Sequence, residues 1–165
     1  IKAAIEAGCP VVVGTTGWHE SRASVDALAM EKKGALLVAP HFSPGIAAFG
    51  EIVKEAARIL KTMPGFDAHI IETHHAAKQD TPSGTAKALE ETTAPVWGTN
   101  IPVTSVRVGS VPGKHEFLFD APFEQIRLVH SARDRRVFAE GALHAARWLI
   151  GRTGVFSMQD VIAQR

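Results

Sequence analysis

Two short apolar runs separated by a helical pattern constrain the fold of this chain more than any other feature. The run Pro10–Val13 is bounded by turn residues, which is typical of a buried parallel strand. A helical pattern over Ser21–Lys33 follows, and Gly34 is expected to end it. Ala35–Ala39 is then a second buried strand. The pattern predicts an α/β arrangement, whose ligand-binding loops follow the carboxyl ends of the strands.

The middle of the chain combines the longest helical pattern with a series of strand candidates. Ile46–Thr62 is predicted to be a helix, Ala86–Glu91 a short helix, and Thr92–Pro102 a loop. Apolar alternation and short apolar runs predict four strands: Ala68–Thr73, Val103–Val108, Lys114–Asp120 and Gln125–Ser131. We expect a mostly antiparallel sheet with one covered face. Three aromatic residues are compatible with either a core or an interface, and the core is the default assignment: Phe117, Phe119 and Phe123.

Both ends of the chain carry helical patterns. The first residues, Ile1–Gly8, read as the end of a helix, and the chain begins with Ile rather than Met, so we expect a fragment of a longer protein. Val137–Ile150 is predicted to be a helix, and Ser157–Asp160 resembles a capping box that begins a last short helix.

The stretch Glu72–Ala86 carries the densest chemistry in the sequence. It contains the adjacent histidines His74 and His75, followed by Lys78, an aspartate and a Pro-Ser-Gly-Thr turn. His74 can give or accept a proton near neutral pH, because the unperturbed pKa of imidazole is about 6.5. Lys78 can bind an anion or act as an acid.

The following turn has the features of a helix N-terminus. Pro82 suits the first helical turn, and Thr81 or Ser83 can cap it. The backbone N–H groups of Gly84 and Thr85 then lie at the positive end of the helix dipole, where a carboxylate or phosphate binds. Each feature taken singly is more often structural. Their convergence favours a site that binds a small anion and moves a proton.

Composition excludes several other classes of function. A formal charge of +1 gives no case for nucleic-acid binding, and no apolar run approaches the length that spans a membrane. The single Cys9 cannot form an internal disulfide and is compatible with a reducing compartment. A metal site is disfavoured, because His74 and His75 point to opposite faces of an extended strand. Five other basic residues lie near the predicted sheet, and solvated surface is the favoured assignment for each, although a second anion-contacting role stays open: Arg107, His130, Arg133, Arg135 and Arg136.

The same stretch also resembles the signature of a known family. The dihydrodipicolinate reductase pattern Glu-x-His-His-x-x-Lys-x-Asp-x-Pro-Ser-Gly-Thr-Ala is matched throughout from Glu72 to Ala86. Val13–Gly17 is similar to the nicotinamide-side loop of that family. Phe138–Leu149 and Gly154–Val161 are similar to its C-terminal end. The resemblance therefore runs over essentially the whole chain.

The resemblance implies reduction of 4-hydroxy-tetrahydrodipicolinate by NADPH or NADH, in the diaminopimelate route to lysine, by a cytoplasmic homotetramer. It implies that His74 and Lys78 are the acid pair that protonates this dicarboxylate. It implies that His75, Gly84 and Thr85 bind substrate carboxylates. The implied contacts to the nicotinamide cofactor are Gly14, Thr15, Thr16, Ala39, Pro40, His41 and Phe42; the family more usually has Asn at the position of His41.

The expected fold class is α/β plus α+β. Residues 1–43 are expected to form a partial Rossmann-like nucleotide domain, joined by the tail 132–165. Residues 44–131 are expected to form a mixed-sheet domain for substrate binding, catalysis and tetramerisation. The sequence contains no Gly-x-Gly-x-x-Gly, which the family carries in strands expected upstream of Ile1. We therefore expect weak cofactor binding and little activity from this chain alone.

Two other hypotheses stay open. A non-catalytic oligomerisation or anion-binding module would keep the sheet and lack the cofactor half, although the intact His74 and Lys78 argue against it. A lyase or hydrolase that uses the same anion site without a cofactor would need a nucleophile or a metal. Ser83 does not lie in a Gly-x-Ser-x-Gly elbow, so it is a poor candidate for that nucleophile.

Overall fold

The computed structural model describes residues 1–15 and 17–163. These residues form two compact units. The first unit is Ile1–Ala47 together with the C-terminal segment from Arg136, and the second unit is Ala48–Arg135. No helix in the described part of the chain is both long enough and apolar enough to span a bilayer.

The elements follow one another in a mixed order of helices and strands. The strands are β1 Val11–Val13, β2 Ala35–Val38, β3 Asp67–His74, β4 Val103–Arg107, β5 Lys114–Ala121, β6 Glu124–Ser131 and β7 Gly154–Phe156. The helices are α1 Lys2–Glu6, α2 Arg22–Glu31, α3 Pro44–Leu60, α4 Gly84–Trp97, α5 Arg136–Leu149 and α6 Met158–Ile162, and a short 3-10 helix spans His19–Ser21.

The first unit is built on a parallel three-stranded sheet in the order β1-β2-β7. Alternate residues of β2 point to opposite faces, and both faces are buried. Leu36 packs with Ile5 and Val25 on one face, and Leu37 packs with Leu149 on the other. Burial on both sides explains why the strands read as continuous apolar runs. Strand β7 is absent from the prediction because it begins with glycine and has only two apolar residues, too short a run to indicate a strand.

The second unit is built on a four-stranded sheet in the order β4-β3-β5-β6. Strand β3 pairs parallel with β4, and the other two pairings are antiparallel, which confirms the predicted mixed sheet. One face is covered, where Ile70, Phe117 and Phe119 are fully buried and the two phenyl centroids lie 4.9 Å apart. The assignment of Phe123 to the core is wrong. This residue lies in the tight turn between β5 and β6 and is fully exposed, because no neighbouring strand covers the tip of a hairpin.

Helix α4 differs most from its predicted bounds. Helix α4 continues through Pro95 to Trp97, where a loop was predicted, and Gly98 ends it with a φ of 105°. The buried Thr93 and the packing of Trp97 against Phe119, at 5.6 Å between ring centroids, hold the last turns in place. Tertiary packing therefore outweighs the low helix propensity of this segment.

Helix α3 begins at Pro44 rather than at Ile46. Ser43 accepts a hydrogen bond from the Ile46 N–H at 3.3 Å, so Ser43 acts as the cap and Pro44 occupies the first helical position. Helix α2 ends at Glu31, and Lys33 rather than Gly34 takes the left-handed backbone conformation, with a φ of 50°.

Candidate active site

Two polar residues of strand β3, Glu72 and His74, lie on the covered face of its sheet. Its alternating burial places Ala68, Ile70, Glu72 and His74 on that face. Glu72 and His74 are therefore neighbours on one side of the strand. His75 follows the end of the strand and is half-buried.

Glu72 is fully buried and accepts hydrogen bonds from three separate parts of the second unit. The donors are His74 Nδ1 on the same strand, Arg107 Nη2 on β4 at 2.7 Å, and the Ser83 N–H at 3.3 Å. Burial by itself would raise the pKa of the Glu72 carboxyl, but the hydrogen bonds from Arg107 and His74 outweigh it and lower the pKa to about 2. Glu72 is therefore ionised at neutral pH.

His74 is held through one ring nitrogen. Because Nδ1 binds Glu72, Nε2 is the nitrogen that can exchange a proton with a ligand. Burial lowers the pKa of His74 below 6.5, and although Glu72 acts in the opposite direction, the positive charges of Lys78 and Arg107 lower it further. The ring of His115 packs edge-on against it, with 5.2 Å between centroids. An anion bound beside this ring would favour the imidazolium.

Lys78 forms an ion pair with Asp80, a carboxylate of the same loop. Its Nζ is 2.6 Å from Asp80 Oδ1, and its side chain is largely buried. The ion pair with Lys78 is the main cause that lowers the pKa of Asp80, and a hydrogen bond from the Gly84 N–H contributes as well. Lys78 and the start of α4 therefore both contact the same carboxylate, that of Asp80.

The N-terminus of α4 is capped by Ser83, whose Oγ accepts a hydrogen bond from the Ala86 N–H at 3.2 Å. Gly84 and Thr85 occupy the first two helical positions, as an anion site at this terminus requires. The prediction for Pro82 is wrong. This residue precedes the cap instead of lying in the first turn, because the chain enters the helix only at Gly84.

Arg107 is the residue of the site that the sequence analysis misplaced. Solvated surface is the favoured assignment for it from the sequence, but its side chain is only 17% exposed, and the register of the sheet sets it directly beside His74. Its Nη2 also donates to the Asp80 carbonyl oxygen at 2.7 Å. The parallel pairing of β3 and β4 brings Arg107 here, and no local pattern in the sequence indicates that pairing.

His75 lines a cleft of about 420 Å³. The other residues that line this cleft are Ser110, Pro112, Arg133, Asp134 and Arg135. Two of these arginines were also assigned to solvated surface, and both remain exposed at the rim. The cleft joins a histidine to two guanidinium groups, so its chemistry suits a negatively charged ligand.

The candidate cofactor residues gather in the first unit at one edge of the parallel sheet. Gly14 and Thr15 follow β1, and residues 39–42 follow the adjacent β2. The Ala39 N–H donates to the Val13 carbonyl oxygen at 3.0 Å, which ties the two loops together. The Phe42 ring lies so close to Gly14 that a Cβ there would be 2.5 Å from it. Thr16 lies outside the described residues.

Comparison with known proteins identifies the family. The family model described as dihydrodipicolinate reductase, C-terminus, matches residues 45–162. The chain belongs to the dihydrodipicolinate reductase family. The 4-hydroxy-tetrahydrodipicolinate reductase of Methanoculleus marisnigri is 38% identical over 98% of this chain and 69% of its own length. The reductase of Xanthomonas euvesicatoria is 43% identical over 94% of this chain and 63% of its own length.

The fold agrees with that family. The dipicolinate-bound dihydrodipicolinate reductase of Paenisporosarcina sp. TG-14 matches 93% of this chain and 64% of its own with a TM-score of 0.78, at 24% sequence identity. The chain thus spans about two thirds of the length of these relatives. Members of the family are NAD(P)H-dependent oxidoreductases of the diaminopimelate route to lysine. The alternative of a non-catalytic module finds no support among them.

Proposed function

We propose that this chain carries the substrate-binding and proton-donating residues for reduction of 4-hydroxy-tetrahydrodipicolinate to tetrahydrodipicolinate. The observation that carries the proposal is that His74 and the N-terminus of α4 meet at one buried carboxylate, Glu72, while Lys78 lies near enough to His74 to lower its pKa and pairs with Asp80. This arrangement combines a proton donor with an anion site, and the substrate is a dicarboxylate that must gain a proton during reduction.

His74 and Lys78 supply the proton in this proposal. Glu72 fixes the His74 ring through Nδ1, so Nε2 faces the ligand and delivers the proton as the imidazolium. Burial and the positive charge of Lys78 disfavour that imidazolium, and a dianionic substrate bound beside it offsets the effect of the charge. Proton donation is therefore coupled to the binding of the substrate.

The carboxylates of the substrate bind at two places. One carboxylate contacts Lys78 and the N–H groups of Gly84 and Thr85, where Asp80 now lies. The other contacts His75 at the cleft. Asp80 is half-exposed, so an incoming carboxylate can displace it without a large loss of free energy.

The residues of the first unit fit the nicotinamide end of NADPH or NADH. Gly14 has no side chain, and its loop lies with residues 39–42 at the carboxyl edge of the parallel sheet, where α/β proteins bind nucleotides. Gly14, Thr15, Thr16, Ala39, Pro40, His41 and Phe42 would line this position. When bound, the reduced cofactor supplies the hydride. The Rossmann-like character of this sheet belongs to the same proposal.

A homotetramer in the cytoplasm completes the proposed function. The second unit has an uncovered sheet face on which Val106 is 38% and Val129 is 49% exposed, and both residues lie on edge strands. Apolar residues on an edge strand favour contact with another chain. The cytoplasm supplies the reduced nicotinamide cofactor that the reaction consumes.

The test is oxidation of NADPH or NADH, followed by absorbance, with the substrate generated from pyruvate and aspartate semialdehyde by its synthase. His74→Ala and Lys78→Ala should each lower kcat by roughly 10²- to 10⁴-fold, because each removes a proton donor. The matched controls His144→Ala and Lys54→Ala, both at exposed or half-exposed positions on helices, should keep full activity. Retained activity in either site variant would contradict the proposed roles.

A second measurement separates binding from turnover. The affinity of pyridine-2,6-dicarboxylate, measured by calorimetry, should fall in Lys78→Ala and stay unchanged in Lys54→Ala. A wild-type chain that neither oxidises the cofactor nor binds this dicarboxylate would refute the proposed function.

A further inference from the structure

A single carboxylate joins the two halves of the candidate active site. Glu72 Oε2 accepts the hydrogen bond from His74 Nδ1, which belongs to the proposed proton donor. Glu72 Oε1 accepts the hydrogen bond from the Ser83 N–H at 3.3 Å, which belongs to the anion-binding turn. Each oxygen therefore serves a different half of the site.

Arg107 reinforces the same connection from the neighbouring strand. Its Nη2 binds Glu72 Oε1 at 2.7 Å and the Asp80 carbonyl oxygen at 2.7 Å, and it lies 3.4 Å from the Thr81 hydroxyl. Glu72 and Arg107 thus bind the loop between Lys78 and Ser83 to strands β3 and β4. The loop that carries the anion site is held against the strand that carries His74.

We propose that Glu72 is a positioning residue that couples His74 to the anion-binding turn Ser83–Thr85. It fixes the direction of His74 Nε2 and the position of the turn at the same time, so that the proton donor and the bound carboxylate keep a set geometry. This inference rests on the proposed function, and it adds a role for a residue that does not itself contact the substrate.

The chemistry of the partners explains why a carboxylate is required at this position. His74 Nδ1–H, the Arg107 guanidinium and the Ser83 N–H are all donors. An ionised carboxylate only accepts, so both oxygens of Glu72 suit these partners. A glutamine amide has the same shape but must turn its NH₂ group toward one set of donors. Substitution by Gln therefore breaks either the hydrogen bond with His74 or the hydrogen bond with the Ser83 N–H.

Charges on several elements act on His74, and Glu72 is the negative one. Glu72 lies on the same strand, Lys78 on the following loop, Arg107 on β4, and the ring of His115 packs from β5. Removal of the Glu72 charge leaves His74 facing two cations. The imidazolium then becomes less stable, and the pKa of His74 falls.

The experiment compares Glu72→Gln with the wild type and with Glu116→Gln. Glu116 is a matched control, because it is also buried in the same sheet and also pairs with two cations, Lys114 at 3.0 Å and Arg127 at 2.6 Å, but it lies beside neither His74 nor the turn. Circular dichroism and thermal unfolding verify that each variant folds.

Two readouts need no ligand. NMR titration gives the pKa of the His74 ring, with its signals assigned by comparison with His74→Ala. This pKa reports whether Glu72 still binds His74 Nδ1. The rate of hydrogen exchange at the Ser83 amide reports whether Glu72 still accepts the hydrogen bond from the Ser83 N–H. In Glu72→Gln we expect a lower pKa of His74 and faster exchange at Ser83, and in Glu116→Gln we expect neither change.

A third readout, the binding of pyridine-2,6-dicarboxylate, should weaken by about tenfold or more in Glu72→Gln alone. The inference is overturned if Glu72→Gln alters thermal stability but leaves the His74 titration and the Ser83 exchange unchanged. Failure of the wild type both to bind the dicarboxylate and to oxidise the cofactor would refute the proposed function instead, since the two ligand-free readouts still decide the role of Glu72.

A second variant keeps the inference open to refutation if Glu72→Gln does not fold. Glu72→Asp retains the charge but is one methylene shorter, so it cannot reach both His74 and the turn. It should fold and should speed exchange at Ser83 or change the titration of His74. A Glu72→Asp variant with both readouts at the wild-type values would overturn the coupling.

Discussion

Opposing influences of different size act on the pKa of His74. Burial and the nearby cations Lys78 and Arg107 favour the neutral ring, and Glu72 favours the charged one. The balance lies on the neutral side, since the pKa of His74 is lowered. The period-two pattern of β3 predicts that Glu72 and His74 share a face. It does not predict the sign of this balance, which depends on residues contributed by other elements.

The same two residues predict a pH dependence of stability. The pKa of Glu72 is about 2 in the folded chain against an ordinary 4.5, so its stabilising effect is complete above pH 4.5 and is lost as the pH falls toward 2. The folded pKa of His74 lies below 6.5, so protonation below pH 6.5 also favours unfolding. The free energy of unfolding should fall from pH 7 downward in two successive ranges.

Urea denaturation at a series of pH values, followed by circular dichroism, measures this profile. Glu72→Gln should lack the decrease below pH 4.5 that Glu72 causes. Glu91→Gln, at an exposed position of α4, is the control and should follow the wild type. Parallel profiles for Glu72→Gln and wild type would show that Glu72 is not the group responsible.

At the scale of elements, helix α5 depends on one close backbone contact. A Cβ on Gly141 would lie 1.7 Å from the Phe42 carbonyl oxygen, a distance that no atom can occupy. The absence of a side chain therefore lets α5 approach the loop that follows β2. The stripe of apolar residues predicts which face of α5 is buried, but it does not predict this contact, because Phe42 is distant in sequence.

Gly141→Ala should destabilise the protein, although alanine is the better helix former. Helix propensity alone favours Ala over Gly by about 1 kcal/mol. The clash with Phe42 requires a shift of the backbone, and overpacking of this kind costs about 1–3 kcal/mol or more. Urea denaturation should therefore give a lower free energy of unfolding for Gly141→Ala.

Gly50→Ala is the matched control in helix α3. A Cβ there would meet Leu89 Cδ2 at 3.7 Å, which is an ordinary contact, so propensity decides and the variant should be more stable than the wild type. A stabilised Gly141→Ala would contradict the close packing of α5 on Phe42.

At the scale of the whole molecule, we expect chains to associate through the uncovered face of the second sheet. Val129 lies on edge strand β6 opposite Glu116. Val129→Lys should reduce self-association in sedimentation velocity, because a lysine on an edge strand opposes further pairing and can pair with Glu116 within the chain. The control Ile52→Lys, at another apolar residue that is 56% exposed, should leave association unchanged. Equal association of both variants would place the interface elsewhere.

Local interactions made much of this protein predictable. The apolar periods locate β1, β2, β3 and the long helices, since each period reflects neighbours within one turn or one strand. The cap at Ser83 and the helix start that follows it depend on residues within a few positions of each other. The chain also carries the family signature from Glu72 to Ala86, and the family comparison confirms it.

Features that join distant segments depend on tertiary contacts and could not be predicted from the sequence. Glu72 and Arg107 are 35 positions apart, and the parallel pairing of β3 with β4 brings them together. The continuation of α4 beyond Pro95 depends on the packing of Trp97 against Phe119. Such contacts depend on strand register and on shape complementarity between elements. A single sequence determines both, yet neither can be read from a short window of it, because the interacting residues leave no common local pattern.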